Sequence, residues 1–322
     1  MAPPPGSHIR DYQLVEILGE GGMGQVYRAV HTQIGRVVAI KVLRDKSTRF
    51  MQRFFNEARI QAGLRHENIA ALYDYFEFNG QPCIIMEYVD GQTVQERIQA
   101  HGRLDPQEAI AIFHQTAAAI AYLHEQKIIH RDIKPNNIKI SSHGEVKLLD
   151  FGIAKDPASP QLTRYGSLIG TQGYLSPEQI QSKTVDVRSD VWSLGILFYE
   201  MLIGQLPFNA ETPVDLAGKI CTATYTSPSS LDPAIPYEVD AIIAKCLQKK
   251  PSHRYPSARQ LLQEMERLAP FDSLLSLPHS SGSTWFSSGS SDSNLLILAK
   301  QYWPVLLPII ALVLVIIIGL YI

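Results

Sequence analysis

Residues 130–137 read His-Arg-Asp-Ile-Lys-Pro-Asn-Asn, and the rest of the chain is organised around this stretch. It follows a helical segment and precedes a short hairpin, so we expect it to form a loop. The loop brings together an acid, Asp132, a lysine, Lys134, and a carboxamide, Asn137. These residue types are suited to accepting the proton of a hydroxyl, neutralising a phosphate and holding a metal ion.

A second acid arrives at the end of the next apolar strand, in Asp150-Phe151-Gly152. This tripeptide occurs often by chance, but its position shortly after Asp132 makes it much more specific. Magnesium takes oxygen ligands from one or two carboxylates together with phosphate oxygens. The pattern therefore predicts that Asp150 binds Mg²⁺ opposite Asn137.

A glycine-rich stretch, 19–24, lies between two predicted strands, 12–19 and 25–30. The G-x-G-x-x-G pattern alone is weak evidence, because dinucleotide-binding folds also use it to end a strand and open a helix. Here a second strand follows the glycines, with Val26 two residues after Gly24. This order favours a hairpin that lies over nucleotide phosphates.

A third predicted strand, 36–43, contains Lys41 among apolar residues. A lone lysine there is more often an edge residue with its ammonium in water, and this alternative stays open. The next segment, 48–64, has helical spacing and carries Glu57, whose alternative is a plain solvated helix residue. A lysine under the glycine hairpin needs a carboxylate to fix it, so we expect Lys41 and Glu57 to pair.

Further strands are predicted at 69–78 and 81–87, joined by a strong hairpin turn at Asn79-Gly80. With these the first part of the chain contains five strands and one helix. Beyond residue 91 the character becomes helical, and Asp105-Pro106 is typical of a helix start.

Composition limits the classes of function. The formal net charge of −2 argues against an electrostatic grip on nucleic acid. The three cysteines, Cys83, Cys221 and Cys246, are widely spaced, which is typical of reduced thiols rather than a metal or disulfide framework. No secretory signal opens the chain, so we expect its N-terminus to stay in the cytoplasm.

The C-terminal segment 305–322 is apolar almost throughout. As a helix it would be about 27 Å long, close to the roughly 30 Å hydrocarbon core of a bilayer. A buried core helix and a glycolipid-anchor signal are the alternatives. Lys300 precedes the apolar run and no charge follows it, which favours a single span with the rest of the chain on the cytoplasmic side.

In this order and spacing, the motifs resemble those of the protein kinase family, and specifically bacterial kinases of the eukaryotic serine/threonine type. The resemblance covers roughly residues 12–268. It implies an α+β, two-lobed fold with a five-stranded antiparallel small lobe and a larger, mainly helical lobe. Within it we expect a kinase domain (12–269, with small lobe 12–87, hinge 88–91 and large lobe 92–269). Composition predicts a disordered tail (1–11), a Ser/Gly-rich linker (270–303) and a transmembrane helix (304–322) outside that domain.

The resemblance also implies an activity, the transfer of the γ-phosphoryl group of ATP to Ser or Thr hydroxyls of proteins. Asp132 would accept the hydroxyl proton, Lys134 would neutralise charge on the phosphoryl group, and Lys41 would hold the α- and β-phosphates. Asn137 and Asp150 would hold Mg²⁺, with Mn²⁺ as a substitute. The other residues implied to bind ATP are Leu18, Gly19, Glu20, Gly21, Gly22, Gly24, Val26, Ala39, Met86, Glu87 and Val89.

An arginine before the catalytic acid, here Arg131, usually goes with control by phosphorylation of the activation loop. Thr163 and then Ser167 are the candidate acceptors, and the alternative of merely polar loop residues stays open for both. Thr171 resembles the threonine that hydrogen-bonds near the catalytic acid in serine/threonine kinases. By analogy with relatives that pair through the small lobe, a homodimer is also compatible with the sequence.

Two buried charges follow from the resemblance as well. Ser176-Pro177-Glu178 stands where the family more often has Ala-Pro-Glu, and Glu178 would pair with Arg254. Asp190, in the apolar segment 185–204, would brace the backbone of the catalytic loop. The rival function is a catalytically silent scaffold of the same fold, but silent relatives usually lack one of Lys41, Asp132 and Asp150.

Overall fold

The computed structural model describes residues 3–21, 24–43, 48–149 and 172–267, all within the unit Met1–Leu275. Within these ranges no helix is both long and apolar enough to cross a membrane. Several predictions lie outside the described residues: Gly22, the side chain of Glu57, Asp150, Thr163, Ser167, Thr171, the linker 270–303 and the segment 304–322.

The first part of the chain forms an antiparallel sheet with the strand order β1-β2-β3-β4-β6-β5. A helix, α1 (Thr48–Ala62), connects β4 to β5 and packs on one face of the sheet through Phe54 and Ala58. The helix predicted at 48–64 and the antiparallel pairing of the predicted strands are confirmed. The strands are β1 (His8–Ile9), β2 (Tyr12–Gly21), β3 (Gly24–His31), β4 (Val37–Leu43), β5 (Leu72–Phe78) and β6 (Gln81–Glu87).

The predicted disordered tail over 1–11 and the count of five strands are wrong for the described residues. β1 pairs with β2, and Ile9 is fully buried in an apolar cluster on the sheet face that does not contact α1. Upstream of β1, Gly6 N–H donates to Leu14 O at 2.8 Å, and Tyr27 Oη lies 2.9 Å from Pro3 O. The proline-rich start has no periodic sequence pattern, yet the backbone groups of Pro3 and Gly6 form hydrogen bonds with residues of the sheet.

A second, three-stranded sheet follows the hinge and has the order β7-β8-β9. A short helix, α2 (Val94–His101), begins directly after β7 with a capping box between Thr93 and Glu96, and the sequence analysis missed it. β9 also joins the two lobes, since Ala70 N–H donates to Leu148 O at 2.9 Å. The strands are β7 (Gln92–Thr93), β8 (Ile138–Ile140) and β9 (Val146–Leu148).

The large lobe is built around one buried helix, α5 (Val187–Ile203), in which every residue from Ser189 to Leu202 is buried. Phe198 of this helix stacks on Phe113 of α3 with ring centroids 4.0 Å apart. Asp105 caps α3 as predicted, since its carboxylate accepts from Gln107 N–H at 2.9 Å. The helices are α3 (Pro106–Glu125), α4 (Pro177–Ile180), α5, α6 (Pro213–Thr222), α7 (Pro228–Leu231), α8 (Tyr237–Cys246) and α9 (Ala258–Arg267).

Glycine ends α5 because the chain comes very close to a neighbouring segment there. Gly204 has φ +78°, and a Cβ atom at this position would lie 1.8 Å from the backbone oxygen of Gly102. Only glycine accepts both the left-handed conformation and this approach. All three cysteines are free thiols, with Cys83 and Cys246 buried and Cys221 partly exposed.

Candidate active site

The loop 130–137 is held in place by a carboxylate from the large lobe. Asp190 of α5 accepts hydrogen bonds from the backbone N–H groups of His130 (2.7 Å) and Arg131 (2.8 Å). Arg131 has φ +67°, a left-handed conformation that costs energy for a non-glycine residue and needs such support. The predicted role of Asp190 as a brace for this loop is therefore confirmed.

Three side chains of the loop meet at one point. Lys134 Nζ lies 3.1 Å from Asp132 Oδ2, and Asn137 Nδ2 donates to both Asp132 O (2.8 Å) and Oδ2 (3.1 Å). A single 3₁₀ turn, Pro135–Asn137, brings the carboxamide back to the acid. The loop therefore brings a cation and an amide each within hydrogen-bonding distance of the same carboxylate, and the sequence predicted that these three residues lie together.

The amide of Asn137 is suitable for a metal ion. Because its Nδ2 is used in the two bonds to Asp132, its Oδ1 is left as the amide atom that can bind a metal ion, and oxygen is the ligand atom that Mg²⁺ prefers. Its backbone O accepts from Leu149 N–H at 2.9 Å, which places Asn137 beside the residue that precedes Asp150. In the described part of the chain, no group of three or more His, Cys, Asp or Glu could form a separate metal site.

Lys41 lies in β4 next to the strand that leaves the glycine hairpin, as expected for a lysine under that hairpin. It pairs in register with Val26 on β3 and Ile84 on β6, and it is 9% exposed. The alternative of an edge lysine with its ammonium in water is therefore wrong. The side chain of Glu57 lies outside the described residues, so its pairing with Lys41 stays a prediction.

The predicted wall residues of the nucleotide pocket share the face of the sheet on which Lys41 lies. Ala39 and Met86 are cross-strand partners, both buried, and Val26 packs against their cluster. Leu18, on β2, remains 39% exposed. Together they form an apolar surface of the kind that receives a purine ring.

Gly19 and Gly24 of the hairpin are glycine for two different structural reasons. A Cβ atom at Gly19 would meet nothing within 4 Å, which leaves the room that a ligand needs. A Cβ atom at Gly24 would lie 2.1 Å from the backbone oxygen of Val42, so this glycine is required by the close approach of β4. The sequence analysis attributed both to the ligand, and for Gly24 the structure gives a different cause.

Glu87, the last residue of β6 before the hinge, has its side chain paired with other parts of the protein. Its Oε1 lies 2.8 Å from Lys147 Nζ of β9, and its Oε2 accepts from Ala71 N–H at 3.0 Å. Val89, two residues on, is buried. Because the carboxylate of Glu87 is already paired, only the backbone of this residue is suited to bind a base.

The predicted ion pair between Glu178 and Arg254 is confirmed. The guanidinium donates from Nη1 (2.7 Å) and Nη2 (2.8 Å) to the two carboxylate oxygens, and both side chains are buried. Burial alone would raise the pKa of Glu178, but hydrogen bonds from Arg254 and Ser189 hold it below its usual value. Glu178, in α4, is therefore kept charged although it is buried.

Two functional contacts were missed in the sequence analysis. His124, at the end of α3, places Nε2 3.1 Å from Asp190 Oδ2 and accepts from Ala258 N–H through Nδ1 at 3.2 Å. Tyr174 Oη donates to Glu200, whose pKa burial raises. A histidine in the last turn directly before the loop was a weak signal for the first contact. The second joins residues of different segments and left no local pattern.

Comparison with known proteins agrees with this geometry. The family model described as a protein kinase domain matches residues 12–265. This chain belongs to the protein kinase family. The prediction made from the motifs is thereby confirmed, and the two lobes described above are those of a kinase domain.

The kinase is similar to bacterial proteins named as serine/threonine-protein kinases. It is 40% identical over 266 residues to PrkC of Bacillus subtilis, a match that covers 82% of this chain and 41% of that protein. It is 41% identical over 277 residues to PknB of Mycobacterium leprae, covering 83% of this chain and 44% of that protein. The kinase thus spans less than half the length of these relatives.

Proposed function

We propose that this chain is an active serine/threonine protein kinase that transfers the γ-phosphoryl group of ATP to protein hydroxyls. The observation that carries the proposal is the junction at Asp132, whose carboxylate lies 3.1 Å from both Lys134 Nζ and Asn137 Nδ2 on a loop fixed by Asp190. A scaffold that only binds nucleotide does not need this junction.

Each residue of the junction has a separate task. Asp132 orients the acceptor hydroxyl and takes its proton as the bond from the hydroxyl oxygen to the γ-phosphorus forms, while the bond from that phosphorus to the bridging oxygen of the β-phosphate breaks and ADP leaves. Lys134 stands 3.1 Å from that carboxylate, where its positive charge balances the charge that gathers on the transferred group. Asn137 fixes Asp132 through two hydrogen bonds, so the acid is preorganised before substrate arrives.

Magnesium ions, when bound with ATP, neutralise the phosphate oxygens and align them for transfer. Asn137 would hold one ion through Oδ1, and Asp150 is the second proposed ligand. Lys41, buried on β4 below Val26, would bind the α- and β-phosphates. The apolar face of Val26, Ala39 and Met86 would take the adenine ring.

The choice of Ser or Thr as acceptor is supported by the names of the relatives and by Lys134, which lies two residues after the acid as in serine/threonine kinases.

We also infer control by autophosphorylation at Thr163 or Ser167, since Arg131 beside the acid suits a phosphate partner. Replacing Thr163 and Ser167 together with Ala should then remove most autophosphorylation. Unchanged labelling of the double variant would contradict this control.

The test of activity uses the full chain with radiolabelled ATP, Mg²⁺ and a generic basic protein as acceptor. Asp132→Asn should lower label transfer by about 10³-fold or more, because the proton acceptor is lost while the shape is kept. Asp11→Asn, an exposed acid on the small lobe, is the matched control and should transfer label like the wild type. Equal transfer by wild type and Asp132→Asn, or none by either, contradicts the proposal.

We further propose that segment 304–322 tethers the kinase to a membrane, with the catalytic domain on the cytoplasmic side. The support is the apolar run of sequence and the position of Lys300 before it. Removing 305–322 should move the protein from the membrane to the soluble fraction. If fractionation does not change, the tether lies elsewhere.

A further inference from the structure

The glycine hairpin carries a carboxylate next to the place where a nucleotide would put its phosphates. Glu20 lies in β2 between Gly19 and Gly21, and it pairs in register with Gln25 of β3. The glycines leave room for a ligand, but a glutamate has the wrong charge for phosphate oxygens, since like charges at short range repel each other. The face of the sheet on which the Glu20 side chain lies therefore matters for nucleotide binding.

The cross-strand partner of Glu20 shows which face this is. Gln25 is followed in β3 by Val26, which packs into the apolar cluster of the nucleotide side. Side chains alternate along a strand, so Gln25 lies with Tyr27 on the opposite, outer face of the sheet. Directly paired residues of neighbouring strands share a face, and Gln25 Nε2 donates to Glu20 Oε2 at 2.9 Å. The carboxylate of Glu20 is therefore held on the outer face, away from the nucleotide.

The amide that holds this carboxylate is itself fixed in orientation. Gln25 is 8% exposed, which is unusual for a glutamine and requires partners for its amide. Its Oε1 lies 2.5 Å from Tyr27 Oη, the hydrogen-bond donor. Because the hydroxyl occupies the amide oxygen, the amide nitrogen is the atom left to face Glu20. The hydroxyl of Tyr27 thus decides that Gln25 presents a donor to the carboxylate.

Tyr27 is in turn joined to the N-terminal segment. Its side chain is fully buried, and its Oη also lies 2.9 Å from Pro3 O. That segment is fixed on β2 by two backbone hydrogen bonds with Leu14, at 2.8 and 2.9 Å. A continuous series of contacts therefore runs from Pro3 through Tyr27 and Gln25 to Glu20 in the glycine hairpin.

The position of Glu20 in the sheet gives its side chain a second place to go. In the described part of the sheet, β1 pairs with β2 only opposite Tyr12 and Gln13, so β2 is an edge strand at Glu20. Glu20 is exposed. A long side chain at an edge can turn towards either face by a change of rotamer. The hydrogen bond from Gln25 favours the outer face.

We propose that Gln25 and Tyr27 are positioning residues of the nucleotide site, which hold the carboxylate of Glu20 on the outer face of the hairpin and away from the phosphates. The inference rests on the proposed function for the presence of a nucleotide under the hairpin. It deepens that function by explaining how a hairpin with a glutamate between its glycines accepts a polyanion. Only the backbone of Glu20 is then available to ATP.

The experiment measures binding to the full chain by calorimetry with two probes, Mg–ADP and uncharged adenosine. Gln25→Met keeps the length of a buried side chain and removes the donor, so it should weaken Mg–ADP by about 3- to 10-fold and leave adenosine within about twofold of wild type. The loss should shrink at high ionic strength, because salt screens the repulsion. Tyr27→Phe removes only the hydroxyl and should weaken Mg–ADP by a smaller factor.

The deciding variant adds Glu20→Gln to Gln25→Met. It should restore Mg–ADP binding to within about twofold of wild type, because the displaced charge is gone, and the two changes are then strongly non-additive. The matched control adds Glu16→Gln to Gln25→Met. Glu16 is an exposed acid of the same strand and accepts from Arg28 Nε at 2.5 Å, so its removal should not restore binding.

Three results would overturn the proposal: binding of Mg–ADP by Gln25→Met as in the wild type, an equal loss for both probes, or a loss that Glu20→Gln does not restore. The last two would mean that Gln25 only supports the fold of the hairpin. Failure of the wild type to bind either probe contradicts the proposed function instead.

Discussion

Asp190 shows how one buried carboxylate can set the geometry of a reaction that it does not touch. It accepts from two backbone N–H groups of the loop and approaches His124, which in turn accepts from the first residue of α9. The hydrogen bond from Arg131 N–H to Asp190 therefore stabilises the positive φ of Arg131. At this scale the conformation of the catalytic loop depends on charge-assisted hydrogen bonds to a residue outside the loop.

Asp190→Asn is the direct test of that dependence. The amide keeps one acceptor oxygen and loses the charge, so we expect a loss of about 2 to 3 kcal/mol in the free energy of unfolding. We also expect kcat to fall more than the KM for ATP rises, because the loop and not the pocket is disturbed. Asp105→Asn, at the N-cap of α3, is the control, since Asn caps a helix as well as Asp. Equal effects of the two variants would contradict the role of Asp190.

Two buried glutamates, Glu178 and Glu200, should contribute to the free energy of unfolding with opposite dependences on pH. The pKa of Glu178 is held below its ordinary value of 4.5 despite burial, so its contribution is present above that pH and lost as pH falls through the lower, folded value. Burial raises the pKa of Glu200, so the folded state holds its proton longer, and stability is lost as pH rises through the raised value.

The measurement is urea unfolding between about pH 3 and about pH 7. The destabilisation caused by Glu178→Gln should shrink towards low pH, where the wild-type carboxylate becomes protonated. Glu200→Gln, relative to wild type, should become more favourable as pH rises. Parallel pH profiles of wild type and both variants would show that neither carboxylate changes its protonation on folding.

At the scale of elements, the end of α5 is decided by one backbone contact. Gly204→Ala would place a methyl group 1.8 Å from Gly102 O in a left-handed conformation, so we expect a loss of about 2 kcal/mol or more. Gly218→Ala is the control, since nothing lies within 4 Å of a Cβ atom there in α6. That change should gain about 0.5 to 1 kcal/mol. Urea unfolding of both variants makes the comparison.

The elements found from the sequence are those with a local chemical cause. Asn79-Gly80 has φ +50° and +71°, the turn that the dipeptide predicts, and Asp105 caps α3 where expected. β1 and the close approach at Gly24 were missed because both depend on a partner strand. In the site, the residues of the loop itself were predicted, whereas the contact of Tyr174 with Glu200 joins distant segments and has no local sequence pattern.

At the scale of the whole molecule, each lobe has an apolar core, and among the described residues of the small lobe only Leu64 and Ile69 join the core around α5. The outer face of the six-stranded sheet and the core around α5 share no residue among those described. Within the described ranges, the lobes are linked at the back by β9, where Leu148 N–H donates to Asn68 O at 2.9 Å. Local stability can therefore change in one lobe without an equal change in the other.

Ile9→Ala tests this separation. Ile9 is fully buried under the sheet, so its truncation should cost about 2 to 5 kcal/mol, felt mainly in the small lobe. Hydrogen exchange should accelerate in β2 and β3 and stay nearly constant in α5. Ile34→Ala is the matched control, because Ile34 is 69% exposed and its truncation should change little. Equal acceleration in both lobes would mean that they unfold as one unit.

The distribution of thiols has a practical consequence. Burial raises the pKa of Cys83 to about 12 and also raises the pKa of Cys246, so neither side chain becomes a thiolate near neutral pH. Cys221, on α6, is the partly exposed one of the three cysteines. A maleimide dye added to the native protein therefore marks a single position, and α6 of the wild-type kinase can carry a fluorescent reporter without prior removal of any cysteine.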